Sequence, residues 1–267
     1  MGTGEITLPS LALDVGSKCI EAFVLLLIQV PSSTPSDAVL YEFGINDLSL
    51  DIMMEKIVLA VETLNRGEER ISRRLLEALM ENNVDGFCTE VTEVCKLLNV
   101  SFHEMLEVND VRKTLKEKVV EIQGQELYKR MMISSKMDGI LLNGFCYDGK
   151  VKKYLKELNF IEARTIFMIR YRMLPTKVNF PGRWIGKACN ICGFDDTDEH
   201  LFHCPGYQDL FTSDLSYHMF WDNEVLEDTA RIKKAACIML GVIERLDEVQ
   251  GLVPKEKVSR GREMDEV

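Results

Sequence analysis

The stretch "CNICGFDDTDEHLFHCPGY", Cys189 to Tyr207, decides how the rest of this 267-residue chain is read. Three cysteines and two histidines fall within sixteen residues there, while Cys19, Cys88, Cys95, Cys146, Cys237, His103 and His218 are scattered. Cys189 and Cys192 have the spacing that lets two thiolates grip one ion from a tight turn, and Gly193 behind them permits the bend. His200 follows after seven intervening residues and Cys204 after three more. One helical turn separates these two, so their side chains project to the same side. Two donors from a turn and two from a helix start make a closed tetrahedral set, which predicts a structural zinc held by Cys189, Cys192, His200 and Cys204. His203 is the rival ligand, but it adjoins Cys204, and adjacent helical residues point about 100° apart. A catalytic zinc on Cys189, Cys192 and His200, with Glu199 as base, is disfavoured because Cys204 fills the open place and no nucleophile motif accompanies it. The connecting "GFDDTDE" has few apolar residues and is expected to order poorly without metal, its acidic side chains moderating the positive field of the cluster.

Composition is that of a globular protein: 46% hydrophobic and 28% charged. The longest apolar run, "AFVLLLIQV" at 22–30, is far short of the ~20 residues that span a bilayer. Acidic residues precede it where a signal peptide would be basic. An intracellular protein, in nucleus or cytoplasm, without membrane contact is expected; in a reducing compartment clustered cysteines point to metal and the other five to packed thiols. The net charge of -11 hides an uneven distribution. Residues 129–187 hold 13 basic and 4 acidic side chains, against 11 and 22 in 1–128 and 8 and 17 in 188–267. A basic block thus stands directly before the Cys/His cluster.

Apolar spacing reads as helix almost throughout. In residues 48–65, Ile52, Met53, Ile57, Val61 and Leu64 share a face behind a possible Ser49 cap. A second helix has Ile71, Leu75, Leu76 and Leu79 on its expected buried side. Residues 87–98 repeat the pattern, and a long helix is expected from Val111 to about Met132. Capping-box spacing occurs at Ser101–Glu104 and Asn159–Glu162, the latter opening a helix that Pro175 should stop. Near the C-terminus, Ile232, Ala236, Met239, Val242, Ile243 and Leu246 define an amphipathic helix that could dock a protein. The best strand signal is "AVLYEFGI" at 38–45. The expected class is mainly α: a multi-helix domain with a small Cys-Cys-His-Cys knuckle insertion, followed by the amphipathic helix. The segments are a helical region at 1–135, a basic helical segment at 136–187, the knuckle at 188–206, C-terminal helices at 207–250 and a charged tail at 251–267.

"YLKELNFIEARTIFMIRYRMLPTKVNF" followed by "CNICGFDDTDEHLFHCPGY" resembles the C-terminal, post-polymerase region of reverse transcriptases from non-LTR (LINE-type) retrotransposons. There an "EAR…F.IR.RM…K.NF" pattern precedes a "C-x2-C…E-H-L…C" zinc knuckle. "LALDVGSKCIEAFVLLLIQVPSSTPSDAVLYEFGI", "SSKMDGI" and "KKAACIMLGVIERLDEV" are similar too, so the resemblance covers about residues 11–250. It implies zinc on the same four residues and contact with template RNA or target DNA through the basic segment and knuckle. Such a polymerase needs three metal-binding aspartates on a palm sheet. The one comparable string here, "GFDD", lies inside the zinc loop, so no catalytic residue and no enzyme activity are expected.

On this reading Lys150, Lys152, Lys153, Lys156, Arg164, Arg170, Arg172, Lys177, Arg183 and Lys187 neutralise phosphates, and Trp184, with Tyr171 and Phe180, could stack on unpaired bases. The alternative is a zinc-stapled helical module that binds a protein and no nucleic acid.

Overall fold

The computed structural model of the chain describes residues 29–31, 34–82, 86–181 and 186–249. Among them are twelve α-helices and no strand, the β pairing being limited to an isolated antiparallel bridge between Ala188 and Asp195. The protein is mainly helical, as its apolar spacing predicts. No helix of the described residues is long and apolar enough to cross a membrane. The chain divides into two compact units: one holds the described residues of 35–135 and Phe145–Lys152, the other those of Ile28–Thr34, Lys136–Gly144 and Lys153–Val267.

The first unit contains α1 (Ser36–Phe43), α2 (Leu48–Leu64), α3 (Ile71–Glu81), α4 (Phe87–Leu97), α5 (Phe102–Glu107) and α6 (Val111–Met131). Helix α2 is its axis. Met54, Ile57, Val58, Ala60 and Val61 pack into one cluster with Leu76 of α3, Val91, Val94 and Cys95 of α4, Met105 of α5 and Leu115 and Val119 of α6. Its cap is Asp47, whose carboxylate accepts from the Ser49 amide at 2.8 Å, rather than Ser49 itself. The expected strand at 38–45 is instead α1. Five consecutive residues, Ala38 to Glu42, are buried, so the environment is two-sided and overrides the β propensity of Val39 and Tyr41. Gly44 ends α1 in the left-handed region at φ 58°. A Cβ there would run into the main chain of Lys150, so glycine is what lets residues 145–152 lie against this corner. Helix α3 also departs from expectation. Ile71 and Leu75 are 82% and 59% exposed, and only Leu76 is buried. Leu75 and Leu76 lie about 100° apart on the helix, so one contact cannot cover both.

The second unit is organised around α9 (Phe160–Arg170), preceded by α7 (Asp138–Leu142) and α8 (Lys153–Glu157) and followed by α10 (Asp198–Leu201), α11 (Asn223–Glu227) and α12 (Thr229–Val249). The predicted capping box opens α9: Glu162 N–H donates to Asn159 Oδ1 at 3.0 Å and Asn159 N–H to Glu162 Oε2 at 3.1 Å. The helix stops at Arg170, well before Pro175. Met173 N–H reaches Met168 O at 2.8 Å and Arg172 N–H reaches Ile169 O at 3.1 Å, with Arg172 at φ 50°. This is a Schellman ending, in which a left-handed residue turns the chain and satisfies the last carbonyls. It aims Thr176–Asn179 at the Cys/His loop. Ile232, Ala235, Ala236, Met239, Val242 and Leu246 of α12 are buried in the unit's own core, α12 packing on α9. The amphipathic face expected to dock a protein partner is therefore already occupied.

Candidate metal centre

The Cys/His loop is shaped by its own main chain. Cys189 N–H donates to Phe194 O at 2.7 Å, and Gly193, at φ 80°, closes the turn by donating to Cys189 O at 3.0 Å. Inside the turn Ile191 N–H points at Cys189 Sγ from 3.4 Å. On the other half, Thr197 caps α10 by accepting from His200 N–H at 3.0 Å, and Cys204 N–H donates to His200 O at 2.9 Å. One turn thus presents Cys189 and Cys192, and one helical turn presents His200 and Cys204.

The four donor atoms lie within 4.8 Å of one another. Cys189 Sγ is 3.8 Å from Cys204 Sγ, Cys204 Sγ is 3.9 Å from Cys192 Sγ, and Cys192 Sγ is 3.2 Å from His200 Nε2. A tetrahedron with metal–sulfur bonds of about 2.3 Å has sulfur–sulfur edges of about 3.8 Å, and sulfur–nitrogen edges of about 3.6 Å. The two sulfur edges match and the mixed edge is slightly tight, so Cys189, Cys192, His200 and Cys204 can hold one metal ion. His203 is exposed and outside this group. Burial of Cys204, together with the neighbouring Cys189 thiol, pushes its pKa up to about 12. For Cys192, burial acts upward but is outweighed by hydrogen bonds from Phe194 N–H and the Cys204 and Cys189 thiols, so its pKa falls. Burial also lowers the His200 pKa, favouring the neutral imidazole that a metal requires.

The acidic residues of the loop serve a purpose its sequence does not reveal. Asp196 and Asp198 are 0% and 3% exposed. Asp196 Oδ2 accepts from Lys177 N–H at 2.9 Å, and both Asp198 oxygens accept from Asn179 Nδ2 at 2.9 and 3.0 Å. Burial raises the Asp198 pKa to about 7, against the pull of Asn179. Only Asp195 and Glu199 of the loop's carboxylates are exposed, while the buried Asp196 still acts on the cluster, its charge opposing the effect of burial on His200. On the far side Arg245 of α12 donates to Gly206 O at 3.1 Å. The aromatic Phe194 is 71% exposed, its ring centroid 6.3 Å from that of His200.

The expected phosphate contacts divide. Arg170 is 1% exposed, with its guanidinium donating to Phe220 O, while Lys177 is 5% exposed and bonded within the loop. Neither can reach a phosphate, and both are withdrawn from that role. Tyr171 is fully buried beside Phe167 and cannot stack on a base. In the first unit Lys150 is exposed, and Lys152 is partly buried, donating to Cys146 O at 3.3 Å. In the second, Lys153 donates to Glu227 O at 2.6 Å and Arg164 to Gln29 O at 2.9 Å, while Arg172 lies 4.0 Å from Asp138. Lys156 and Lys187 are exposed; Arg183 and Trp184 lie outside the described residues. No protein-family model, curated protein or solved structure matches the chain.

Proposed function

We propose that this chain is a non-catalytic nucleic-acid-binding module stapled by zinc and related to the post-polymerase region of LINE-type reverse transcriptases. The observation that supports it is the convergence of Cys189, Cys192, His200 and Cys204, the ligands the resemblance implies, at tetrahedral spacing. Three thiolates and an imidazole in that geometry suit zinc. With Cys204 in the fourth place no position is left for a metal-bound water, which supports a structural role over hydrolysis. The excess of basic residues before the loop supplies the affinity for phosphate, in the second unit through Lys153, Lys156, Arg164, Arg172 and Lys187, with Arg183 and Trp184 alongside, and in the first through Lys150 and Lys152.

The test is a fluorescence-anisotropy titration of the zinc-loaded full chain with labelled single-stranded RNA and DNA at several salt concentrations. Binding should weaken with salt at a log–log slope no steeper than about -6, since eight contacts, Arg183 included, contribute about -0.7 each on a single strand. The double variant Lys156→Glu/Lys187→Glu should weaken both ligands and flatten the slope. Absence of binding at about 50 mM salt, where such contacts are strongest, rules the reading out.

A further inference from the structure

We infer that Lys177 is a positioning residue of the metal centre, a buried cation that fixes the Cys189 side of the loop and balances the charge of the loaded cluster. This rests on reading the Cys3His group as a zinc site. Lys177 Nζ donates to Ala188 O at 2.7 Å and to Asn190 Oδ1 at 2.5 Å, the residues on either side of Cys189. Its main-chain N–H meanwhile holds Asp196 Oδ2 at 2.9 Å. Val178 N–H donates to Asp196 O at 3.2 Å, and Asp196 N–H to Lys187 O at 2.8 Å. Two consecutive residues after the Schellman turn thus grip both arms of the hairpin that presents Cys189 and Cys192.

The charge argues in the same direction. A zinc ion with three thiolates and a neutral imidazole has one net negative charge, and Cys189 and Cys204 are buried. A buried anion is costly without a partner, and so is a buried ammonium. Placing Lys177 beside Cys189 meets both needs at once, which gives a physical reason for a lysine that is 5% exposed.

The experiment measures zinc affinity of the full chain by competition with a chromophoric chelator, and the absorption of the cobalt(II)-substituted protein, with far-ultraviolet circular dichroism beside them. Lys177→Met keeps the aliphatic stem and removes the ammonium. We expect it to retain the helical spectrum, to bind zinc about 10- to 100-fold more weakly, the range for residues that orient metal ligands, and to shift the thiolate-to-cobalt band. Lys233→Met, an exposed lysine of the same unit outside the loop, should match the wild type. A Lys177→Met protein with wild-type helicity, zinc affinity within about twofold and an unchanged cobalt band overturns the inference. Should Lys177→Met not fold, Asn190→Ala decides, because it removes one acceptor from an exposed residue: weaker zinc binding supports the role and unchanged affinity overturns it. Wild-type protein that binds no zinc sinks the metal reading itself, an outcome separate from either variant result.

Discussion

Replacing Cys204 by alanine tests the metal centre at its most buried donor. Cys204 is fully buried, and its Sγ lies 3.8 and 3.9 Å from those of Cys189 and Cys192. The substitution leaves three donors on one side of the ion and opens the fourth position to water. A structural zinc contributes about 10–16 kcal/mol at neutral pH, so one ligand of four accounts for about 3 kcal/mol, or a loss of about 100-fold in affinity. For a unit of this size that stability difference displaces the melting transition of the zinc-saturated protein by about 10 °C. Metal analysis after dialysis, chelator competition and thermal unfolding with and without chelator measure the three quantities. Wild-type protein should hold one equivalent and melt lower after chelation, Cys204→Ala should lose the ion under competition, and His203→Ala should behave as wild type. A Cys204→Ala protein that keeps one equivalent at wild-type affinity refutes the tetrahedral assignment. So does a wild-type melting curve that ignores the chelator.

Three further outcomes follow from the packing. Leu76→Ala removes a core side chain of α3 and should cost about 2–4 kcal/mol in urea unfolding, whereas Leu75→Gln, one residue away on the exposed side, should stay within about 0.5 kcal/mol. Gly44→Ala adds a Cβ at φ 58° against the Lys150 main chain and should destabilise the first unit by about 2 kcal/mol or more, seen as a lower urea midpoint. Arg170→Ala leaves Phe220 O without its charged donor and opens a cavity beneath Tyr154, costing about 3 kcal/mol in the same assay.

The parts of the fold that were legible in the sequence are those fixed by near neighbours. The four donors converge because two lie in one turn and two in one helical turn, with seven residues between Cys192 and His200, so local spacing settles most of the geometry. The capping box at Asn159–Glu162 and the long α6 are legible for the same reason. What was not legible depends on distant partners. Which of Leu75 and Leu76 faces the core is decided by where α2 and α4 lie. The end of α9 is decided by a left-handed Arg172, a conformation that arginine does not advertise as glycine would. The α-helical state of 38–43 follows from burial on both sides, which period-two patterning cannot anticipate.

Charge was the least legible property, and the reason is physical. A lysine or aspartate in a sequence is assigned to solvent because desolvating an unpaired charge is costly, and that rule fails when two such residues and a set of main-chain groups meet. Asp196 accepts from the Lys177 main-chain N–H 19 residues away, the Lys177 ammonium finds Ala188 O and Asn190 Oδ1, and Arg170 finds its acceptor 50 residues away at Phe220. The groups that satisfy each buried charge lie far along the chain, so its sequence neighbours do not predict its burial. The consequence reaches function. Part of the positive excess in 129–187 is internal and holds the metal loop in place, while part of the negative charge of that loop is internal too. Within the second unit the surface field is therefore set by what stays exposed: Lys156 and Lys187, of the described cations expected to meet phosphate, against Asp195 and Glu199 of the loop, a smaller contrast on both sides than the residue counts imply.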